Sequence, residues 1–514
     1  MFKDQPRGLI PAALSNMGER FGYYIMNAVL VLFLCSKFGL SEKTSSIIYS
    51  CFYAGIYVLS LVGGLIADKT QNYKSTIIWG LIVMTLGYVV LAVPILATAD
   101  NTAWLLTMTC AALFLIAFGN GLFKGNLQAI VGQLYDNPQY ASKRDSGFQI
   151  FYVFINIGGL IAPFVAPLLR SWWLGVNGMS YDASFPGMAH QVLAVTDSMN
   201  PEAVNNLYTL VSAHAATVGA QAIGSMQELQ AFCTQYLDAF NTGIHYSFIA
   251  SVAAMFISLS IFLFTKKGLP TPAKREKVES VKYTPEEKKA MAKEIKQRLT
   301  ALSAVLGIAI FFWFSFHQNG TSMSLFARDF VDTSSIAPEI WQAVNPFFVI
   351  VLTPIIMLFF SSLSRRGKEI STPRKIAYGM GLAGIAYLFM TIYSLVMDYP
   401  SGTDFRDMIT AGENVVKSGP WVLILYYFFM TVAELFISPL GLSFVSKVAP
   451  KHLQGLCQGL WLGATAVGNL LLWIGPLIYN ACPIWVAWTV FLSVCVVSMG
   501  IMFSMVGWLE KVTK

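Results

Sequence analysis

The chain has 514 residues, of which 55% are hydrophobic and only 12% are charged. Soluble domains carry about 25% charged residues, so this composition excludes a soluble globular protein and indicates a polytopic membrane protein. The net charge of +7 is modest, and the sequence has no basic aromatic motif that would indicate nucleic-acid binding. The seven cysteines lack C-x-x-C spacing, so we expect no metal, cofactor or disulfide framework.

Twelve apolar segments are each long enough to cross a bilayer as a helix, which takes roughly 20 residues. They form two groups of six, at about 9–35, 45–67, 74–97, 103–132, 147–170 and 245–265, then at about 299–317, 342–362, 376–397, 420–446, 455–480 and 483–508. The first segment is too long for a signal-peptide core and carries Glu19 and Arg20, so we expect it to be retained. The sequence therefore predicts an all-α membrane protein with two six-helix bundles.

The distribution of Lys and Arg predicts the orientation. The connector 266–298 is rich in both, whereas the long segment 171–244 has neither. Positive charge favours the cytoplasmic side, so we expect a cytoplasmic connector, cytoplasmic termini and an outer insert at about 171–244. The predicted domains are an N-terminal bundle (1–265), a basic linker (266–298) and a C-terminal bundle (299–514). Thr284 and Pro285 resemble a helix start within the linker, on the membrane surface or between the halves, and Arg144 and Asp145 resemble loop-end or gate charges.

Polar residues in the first apolar segment follow helical spacing, four, four and three residues apart, on one face. They are Asn16, Arg20, Tyr24 and Asn27, with Glu19 and Tyr23 in a neighbouring row. An ionisable side chain at membrane depth costs roughly 2.5 kcal/mol or more, so it persists only when paired or beside a wet cavity. The stripe predicts the wall of a solute path. The alternative is a buried ion pair that locks two helices together.

Two groups of six helices around a basic connector resemble the major facilitator superfamily, in which two bundles rock about a site at the membrane midplane. Asp68 and Lys69 lie between helices two and three, where that superfamily has its loop signature. The match is partial, because residues 71–73 replace the later glycine and arginine of the signature.

Five segments resemble the proton-coupled oligopeptide transporter family, in the expected order and over almost the whole chain. They are 19–24 (E-R-F-G-Y-Y, against E-x-x-E-R-F-x-Y-Y), 119–124 (G-N-G-L-F-K), 151–158 (F-Y-V-F-I-N-I-G), Asn345 with Pro346, and 433–435 with Ser438. The resemblance implies a secondary transporter that imports di- and tripeptides with protons by alternating access, and not an enzyme.

The residue types agree with a peptide substrate, which is a zwitterion whose ends lie roughly 5–11 Å apart for two or three residues. Arg20 and Lys124 offer cations to its carboxylate, and Glu434 offers an anion to its ammonium group. Further predicted substrate contacts are hydroxyls (Tyr23, Tyr24, Tyr57, Tyr152), ammonium acceptors (Asn156, Asn345), Ser438 from the motif, and apolar walls (Trp313, Phe316, Trp461). The alternative for each Trp is an interfacial anchor or core filler.

The proton site departs from the family pattern. The family's first signature glutamate falls at Asn16, which cannot titrate. His317 stands in helix seven where many members place a carboxylate. Histidine titrates near pH 6.5, so His317 either couples protons or is a neutral hydrogen-bonding residue. We expect coupling through Glu19 paired with Arg20 and Lys124, with His317 as the further candidate.

Two other functions stay open at this point. One is a carrier of the same fold for another small solute, such as an anion or a modified amino acid. The other is a polytopic membrane enzyme, which needs convergent catalytic groups. His317 has no carboxylate within two turns of its own helix, so we expect no enzymatic activity. We expect a monomer that spans the cell (inner) membrane several times.

Overall fold

The structure is a computed structural model that describes residues 5–40, 42–98, 100–182, 185–196, 199–221, 223–270, 285–332, 343–410, 414–450 and 453–513. It is almost entirely helical, and twelve helices or helix pairs are long and apolar enough to cross a membrane. The predictions of an all-α fold and of twelve membrane-spanning segments are confirmed.

The N-terminal bundle is built from six long helices, with three short helices between them. In chain order these are α1 Leu9–Phe38, α2 Glu42–Thr70, α3 Tyr73–Ala92, α4 Thr102–Gln133, α5 Pro138–Ala141, α6 Arg144–Val176, α7 Phe185–Leu193, α8 Pro201–Thr217 and α9 Met226–Thr265. The short helices α7 and α8 lie in the insert.

The C-terminal bundle follows the same plan. Its helices are α10 Pro285–Phe316, α11 Ser322–Phe330, α12 Val344–Arg365, α13 Thr372–Val396, α14 Gly402–Thr410, α15 Trp421–Val448, α16 Gln454–Leu470, α17 Ile474–Ala481 and α18 Ile484–Thr513. A 3-10 turn, His317–Gly320, follows α10, and α16 with α17 makes one span.

Two helices begin earlier in the chain than the apolar segments from which they were predicted. Helix α9 begins at Met226, well before 245, because Ser225 accepts a hydrogen bond from the Glu228 backbone N–H at 3.2 Å and caps the helix. Helix α10 begins at Pro285, as predicted, but continues without a break into the span predicted at 299–317. The expectation of a separate linker helix is therefore wrong. Linker residues 271–284 lie outside the described residues.

The insert packs against the N-terminal bundle. The ring of Phe185 in α7 lies 4.7 Å from that of Tyr236 in α9. The imidazole of His190 shares a 2.6 Å hydrogen bond with the carbonyl oxygen of Ser36 at the end of α1. The insert is thus attached to helices of the N-terminal bundle through both apolar and polar contacts.

The two bundles meet closely at one end of the molecule, which we name the Asp145 end after its central charge; the opposite end is the Lys37 end. The Asp68 carboxylate accepts hydrogen bonds from the backbone N–H groups of Gly455 (2.9 Å) and Leu456 (2.7 Å) at the start of α16. A Cβ atom added to Gly64 would lie 2.5 Å from the Gly455 carbonyl oxygen. Only glycine permits this approach of α2 to α16.

A second set of contacts at the Asp145 end is ionic. Asp145, at the start of α6, accepts hydrogen bonds from Lys375 (2.9 Å) and Lys447 (2.8 Å) of the C-terminal bundle. Ser443 and Thr372 donate to the same carboxylate at 2.5 and 3.0 Å. Asp145 therefore joins the two bundles, in line with the predicted gate charge, and this end is closed.

Candidate functional site

A cavity of about 500 Å³ lies between the bundles. Its lining includes all thirteen residues that the sequence predicted to contact substrate: Arg20, Tyr23, Tyr24, Tyr57, Lys124, Tyr152, Asn156, Trp313, Phe316, Asn345, Glu434, Ser438 and Trp461. His317 also lines it. These residues come from both bundles, so the arrangement places both halves of the chain around one solute-sized space. Their roles in binding stay predictions.

Arg20 and Glu19 form a bidentate ion pair beside this cavity. The guanidinium Nε and Nη2 atoms donate to the two Glu19 carboxylate oxygens, each at 2.5 Å. Asn120 adds a third donor to Glu19 at 2.6 Å. Glu19 has no exposed surface, and Arg20 separates it from the cavity. The carboxylate is thus reached from the cavity through Arg20.

Lys124 is the second cation of the N-terminal half. Its ammonium nitrogen lies 5.4 Å from the ring centroid of Tyr57, a cation–π distance. Within the described part of the chain, no carboxylate forms an ion pair with it. The predicted pairing of Lys124 with Glu19 is therefore not seen; Glu19 contacts Arg20 and Asn120 instead.

Glu434 is the anion of the C-terminal half, and only 3% of it is exposed. The amide nitrogen of Asn345 donates to its Oε2 atom at 2.7 Å, and the hydroxyl of Tyr152, from the other bundle, donates to its Oε1 atom. Tyr152 therefore serves Glu434 in this conformation, where the sequence suggested a contact to peptide. Among the described residues no cation pairs with Glu434.

The comparison with known proteins identifies the family. The sequence profile of the POT family matches residues 74–196 and 271–480. The chain belongs to the POT family. It is 29% identical over 503 residues to the di-/tripeptide transporter of Lactococcus lactis subsp. lactis (strain IL1403), with 91% of this chain and 89% of that protein covered. It is 26% identical over 476 residues to dipeptide and tripeptide permease B of Xenorhabdus bovienii (strain SS-2004), with coverages of 91% and 86%.

The fold agrees with this family. The crystal structure of peptide transporter POT in complex with sulfate covers 100% of this chain and is itself covered to 96%, with a TM-score of 0.60 and 21% identity. A structure of a POT family transporter in complex with thioalcohol conjugated peptide also gives a TM-score of 0.60, at 20% identity. The predicted major facilitator fold is confirmed, and the chain is a multi-pass membrane transporter.

His317 lies in the seventh membrane-spanning segment, Ala292–Ala327, at the position where this chain departs from the family motif. Its Nδ1 atom shares a 2.5 Å hydrogen bond with the Asn469 side-chain oxygen. Its ring stacks on that of Trp313, with centroids 5.0 Å apart and planes 20° apart. Because Nδ1 faces an amide oxygen, it carries the proton of that bond. The other ring nitrogen is left for the cavity.

Sequence reasoning missed part of the cavity wall. Tyr49 and Tyr53 line the cavity with Tyr57, and the Tyr57 hydroxyl donates to that of Tyr53 at 3.0 Å. The signal was present, because the three tyrosines are spaced four residues apart on one face of α2. Gln128, which lies four residues after Lys124, was missed in the same way. Helical spacing from the predicted residues would have found all of them.

Proposed function

We propose that this POT family chain imports di- and tripeptides with protons by alternating access. The observation that carries the proposal is a pair of opposite, unpaired charges across one cavity: Lys124 on the N-terminal half and Glu434 on the C-terminal half. An unpaired buried charge is costly. A zwitterionic solute that places its carboxylate at one side and its ammonium group at the other removes both costs. The related proteins named above as di-/tripeptide transporters support the same class of substrate.

The peptide orientation follows from the charges. The carboxylate faces Lys124 and Arg20, and the ammonium group faces Glu434, with the side-chain oxygens of Asn156 and Asn345 as further acceptors. A peptide of two or three residues spans roughly 5–11 Å, which suits a cavity of about 500 Å³. Its bound charges draw the two bundles together, so binding favours closure over the peptide.

Proton coupling is assigned to Glu19. In the structure both carboxylate oxygens of Glu19 accept hydrogen bonds from Arg20. When the peptide carboxylate takes hydrogen bonds from Arg20, Glu19 loses donors in a buried place, and a proton restores its neutrality. Peptide and proton are thus bound together and released together. Glu19 can do this without the carboxylate that the family motif has at position 16.

The distribution of positive charge indicates which side is closed in this conformation. We assign the Asp145 end to the cytoplasm, because the described ends of the basic connector contact this end through Leu269 with Lys74 and Arg298 with Lys447, and because the loops near Lys69 and Lys368 lie there. The present conformation is then closed to the cytoplasm, and release requires separation of Asp145 from Lys375 and Lys447. Every cavity-lining residue belongs to one chain, so we propose that a monomer in the cell (inner) membrane suffices.

Uptake of labelled dialanine into proteoliposomes, with and without an inwardly directed proton gradient, tests the proposal. We expect gradient-driven accumulation by the wild-type protein. We expect Glu19→Gln to abolish accumulation and to retain exchange of labelled for unlabelled peptide. Glu202→Gln is the matched control, since Glu202 lies in the insert, far from the cavity along the chain, and should leave both activities unchanged.

Two results would contradict the proposal. Absence of both uptake and exchange in the wild type would exclude peptide as the substrate and would leave an anion or a modified amino acid as the candidate solute. Uptake of N-acetyl-dialanine as efficient as that of dialanine would show that Glu434 does not receive an ammonium group. Loss of proton drive in His317→Gln but not in Glu19→Gln would leave the substrate assignment unchanged and would move the coupling site to the 3-10 turn after α10.

A further inference from the structure

A second cavity, of about 340 Å³, lies at the Lys37 end and within the N-terminal half. Polar side chains from α1, α7 and α9 line it, with the segment that follows α3. They include Lys37, His190, Asn241 and His245. The proposed peptide path does not use this cavity, because none of its lining residues is shared with the cavity between the bundles.

Lys37 is the charge that this cavity presents. It is 8% exposed, and its ammonium group lies 3.0 Å from Nε2 of His245. Nδ1 of His245 lies 2.7 Å from the Leu91 carbonyl oxygen and donates to it, so Nε2 accepts from Lys37 and the imidazole is neutral. Two of the three ammonium N–H groups of Lys37 have no hydrogen-bond acceptor among the described residues, and the ammonium nitrogen lies 5.1 Å from the Phe33 ring centroid and 5.8 Å from that of Phe38. No carboxylate of the described segments forms an ion pair with Lys37, so the cavity has the chemistry of an anion site.

An apolar groove of about 140 Å³ adjoins this cavity and shares Lys37 and Ile95 with it. Its other walls include Phe33, Val89 and Met108. Val89 is 40% exposed on a membrane-spanning helix, so the groove opens toward lipid. A polar cavity with a cation, continuous with an apolar groove on the lipid side, suits a molecule with a charged head and a hydrocarbon tail.

The depth of the cavity in the membrane agrees with such a molecule. Trp104 at the start of α4 and Trp172 near the end of α6 are each 56% exposed, and the rings of Trp172 and Tyr246 lie 5.9 Å apart. Exposed Trp and Tyr side chains concentrate at the level of lipid headgroups. Tyr246 is the neighbour of His245, so Lys37 lies at this level.

We propose that the Lys37 cavity binds the headgroup of a phospholipid, with the phosphate at Lys37 and part of one acyl chain in the apolar groove. Four titratable groups face it: Lys37, His190, His245 and the exposed Asp238 of α9. Asp238 precedes His245 by seven residues, which places it on the same helix face about 10.5 Å away. Its carboxylate disfavours a headgroup with net negative charge and accepts from a primary amine, so phosphatidylethanolamine is the expected lipid.

Native mass spectrometry of the purified, delipidated protein with added phosphatidylethanolamine tests this site. We expect one lipid to bind more tightly than the rest, and Lys37→Gln to weaken that first binding event about tenfold. Lys37→Arg keeps the charge and should restore most of the affinity. Lys267→Gln removes an exposed lysine from the turn that follows the C-terminal end of α9 and should leave lipid binding unchanged. If the Lys37→Gln protein does not fold, Asp238→Asn is the alternative variant. It should abolish the preference for phosphatidylethanolamine over phosphatidylglycerol.

Two arms separate a lipid from a soluble phosphate. Inorganic phosphate and glycerophosphoethanolamine, added at the same concentration, should not displace the first lipid, because neither occupies the groove. Displacement by either one overturns the lipid assignment. Equal first-lipid affinity in wild type, Lys37→Gln and Lys267→Gln overturns the site itself. Both results are independent of peptide transport, which this experiment does not measure.

Discussion

The Asp145 end and the central cavity are both places where the two bundles face each other, yet they treat charge in opposite ways. At the Asp145 end the carboxylate that crosses between bundles has two lysines and two hydroxyls around it. In the cavity Lys124 has no ion-pair partner among the described residues, and Glu434 accepts hydrogen bonds from Asn345 and Tyr152 but pairs with no described cation. Charges that are ion-paired across the bundles stabilise one conformation, whereas charges without an ionic partner can bind a charged solute. This difference is the basis for proposing a gate at the Asp145 end and a binding site in the cavity.

Removing the unpaired charges is expected to have the largest effect. Lys124→Gln should weaken dialanine binding by about tenfold to a hundredfold, because a hydrogen bond to a charged group contributes about 1.5–3 kcal/mol. Binding can be measured by competition against labelled peptide in proteoliposomes. Dialanine amide, which has no carboxylate, should bind weakly to the wild type and should lose little more in Lys124→Gln.

Glu434→Gln is the corresponding change in the C-terminal half of the cavity. Its test ligand is N-acetyl-dialanine, which lacks the ammonium group. Lys267→Gln serves as a control for loss of positive charge alone. Additive losses for Lys124→Gln and dialanine amide would contradict direct contact between this lysine and the peptide carboxylate, because two changes to one interaction should not add.

Breaking the gate should have an intermediate effect. Asp145→Asn leaves Lys375 and Lys447 without their shared anion, so the closed state should lose about 1–2 kcal/mol, a five- to thirty-fold change in the ratio of closed to open. The estimate is moderate because these side chains are 11–27% exposed and solvent screens them. Spin labels at positions 69 and 366, on a cysteine-free background, report the separation of the bundles.

We expect the distance between the two labels to increase in Asp145→Asn. Glu510→Gln is the matched control at the same end, since Glu510 pairs at 2.8 Å with Arg374, a residue of its own C-terminal bundle. An unchanged distance distribution in Asp145→Asn would show that the contacts of the Asp68 carboxylate and of Gly64 with α16 are sufficient to close this end.

The smallest effect is expected at His317, a cavity residue whose hydrogen bond is already made. His317→Gln retains a donor toward Asn469, so proton-driven uptake should change by about twofold or less, as expected for a neutral hydrogen bond of about 0.5 kcal/mol. Uptake as a function of outer pH is the measurement. Loss of the proton drive would identify His317 as the titrating group and would contradict the assignment of proton coupling to Glu19.

Much of the fold was predictable, because membrane helices must satisfy their own backbone hydrogen bonds and so announce themselves by length and hydropathy. The cavity residues were predictable for a related reason: Lys124 and Glu434 are too costly at membrane depth to be incidental. The pairing within the cavity was not. Glu19 had two cations within reach of α1, and only side-chain geometry shows that it contacts Arg20 and Asn120, while Tyr152 crosses the cavity to Glu434.

Helix boundaries outside the membrane were also hidden from hydropathy. The start of α9 depends on the cap at Ser225, and the residues that follow it, such as Gln227 and Gln230, are too polar to extend the apolar segment. The continuity of α10 was hidden likewise, because its first turns are charged. At α9 a local hydrogen-bonding signal, rather than burial, sets where the helix begins.

The forty residues of α9 have a mechanical consequence. The nineteen residues that precede His245 extend the helix by about 28 Å at 1.5 Å per residue, and α7 packs along this extension. A rigid lever of this kind rotates with the N-terminal bundle and enlarges a small tilt into a larger displacement at its tip. An antibody fragment or fluorophore attached to α8 would therefore act as a pointer, reporting each transport cycle from a site that touches neither gate nor cavity.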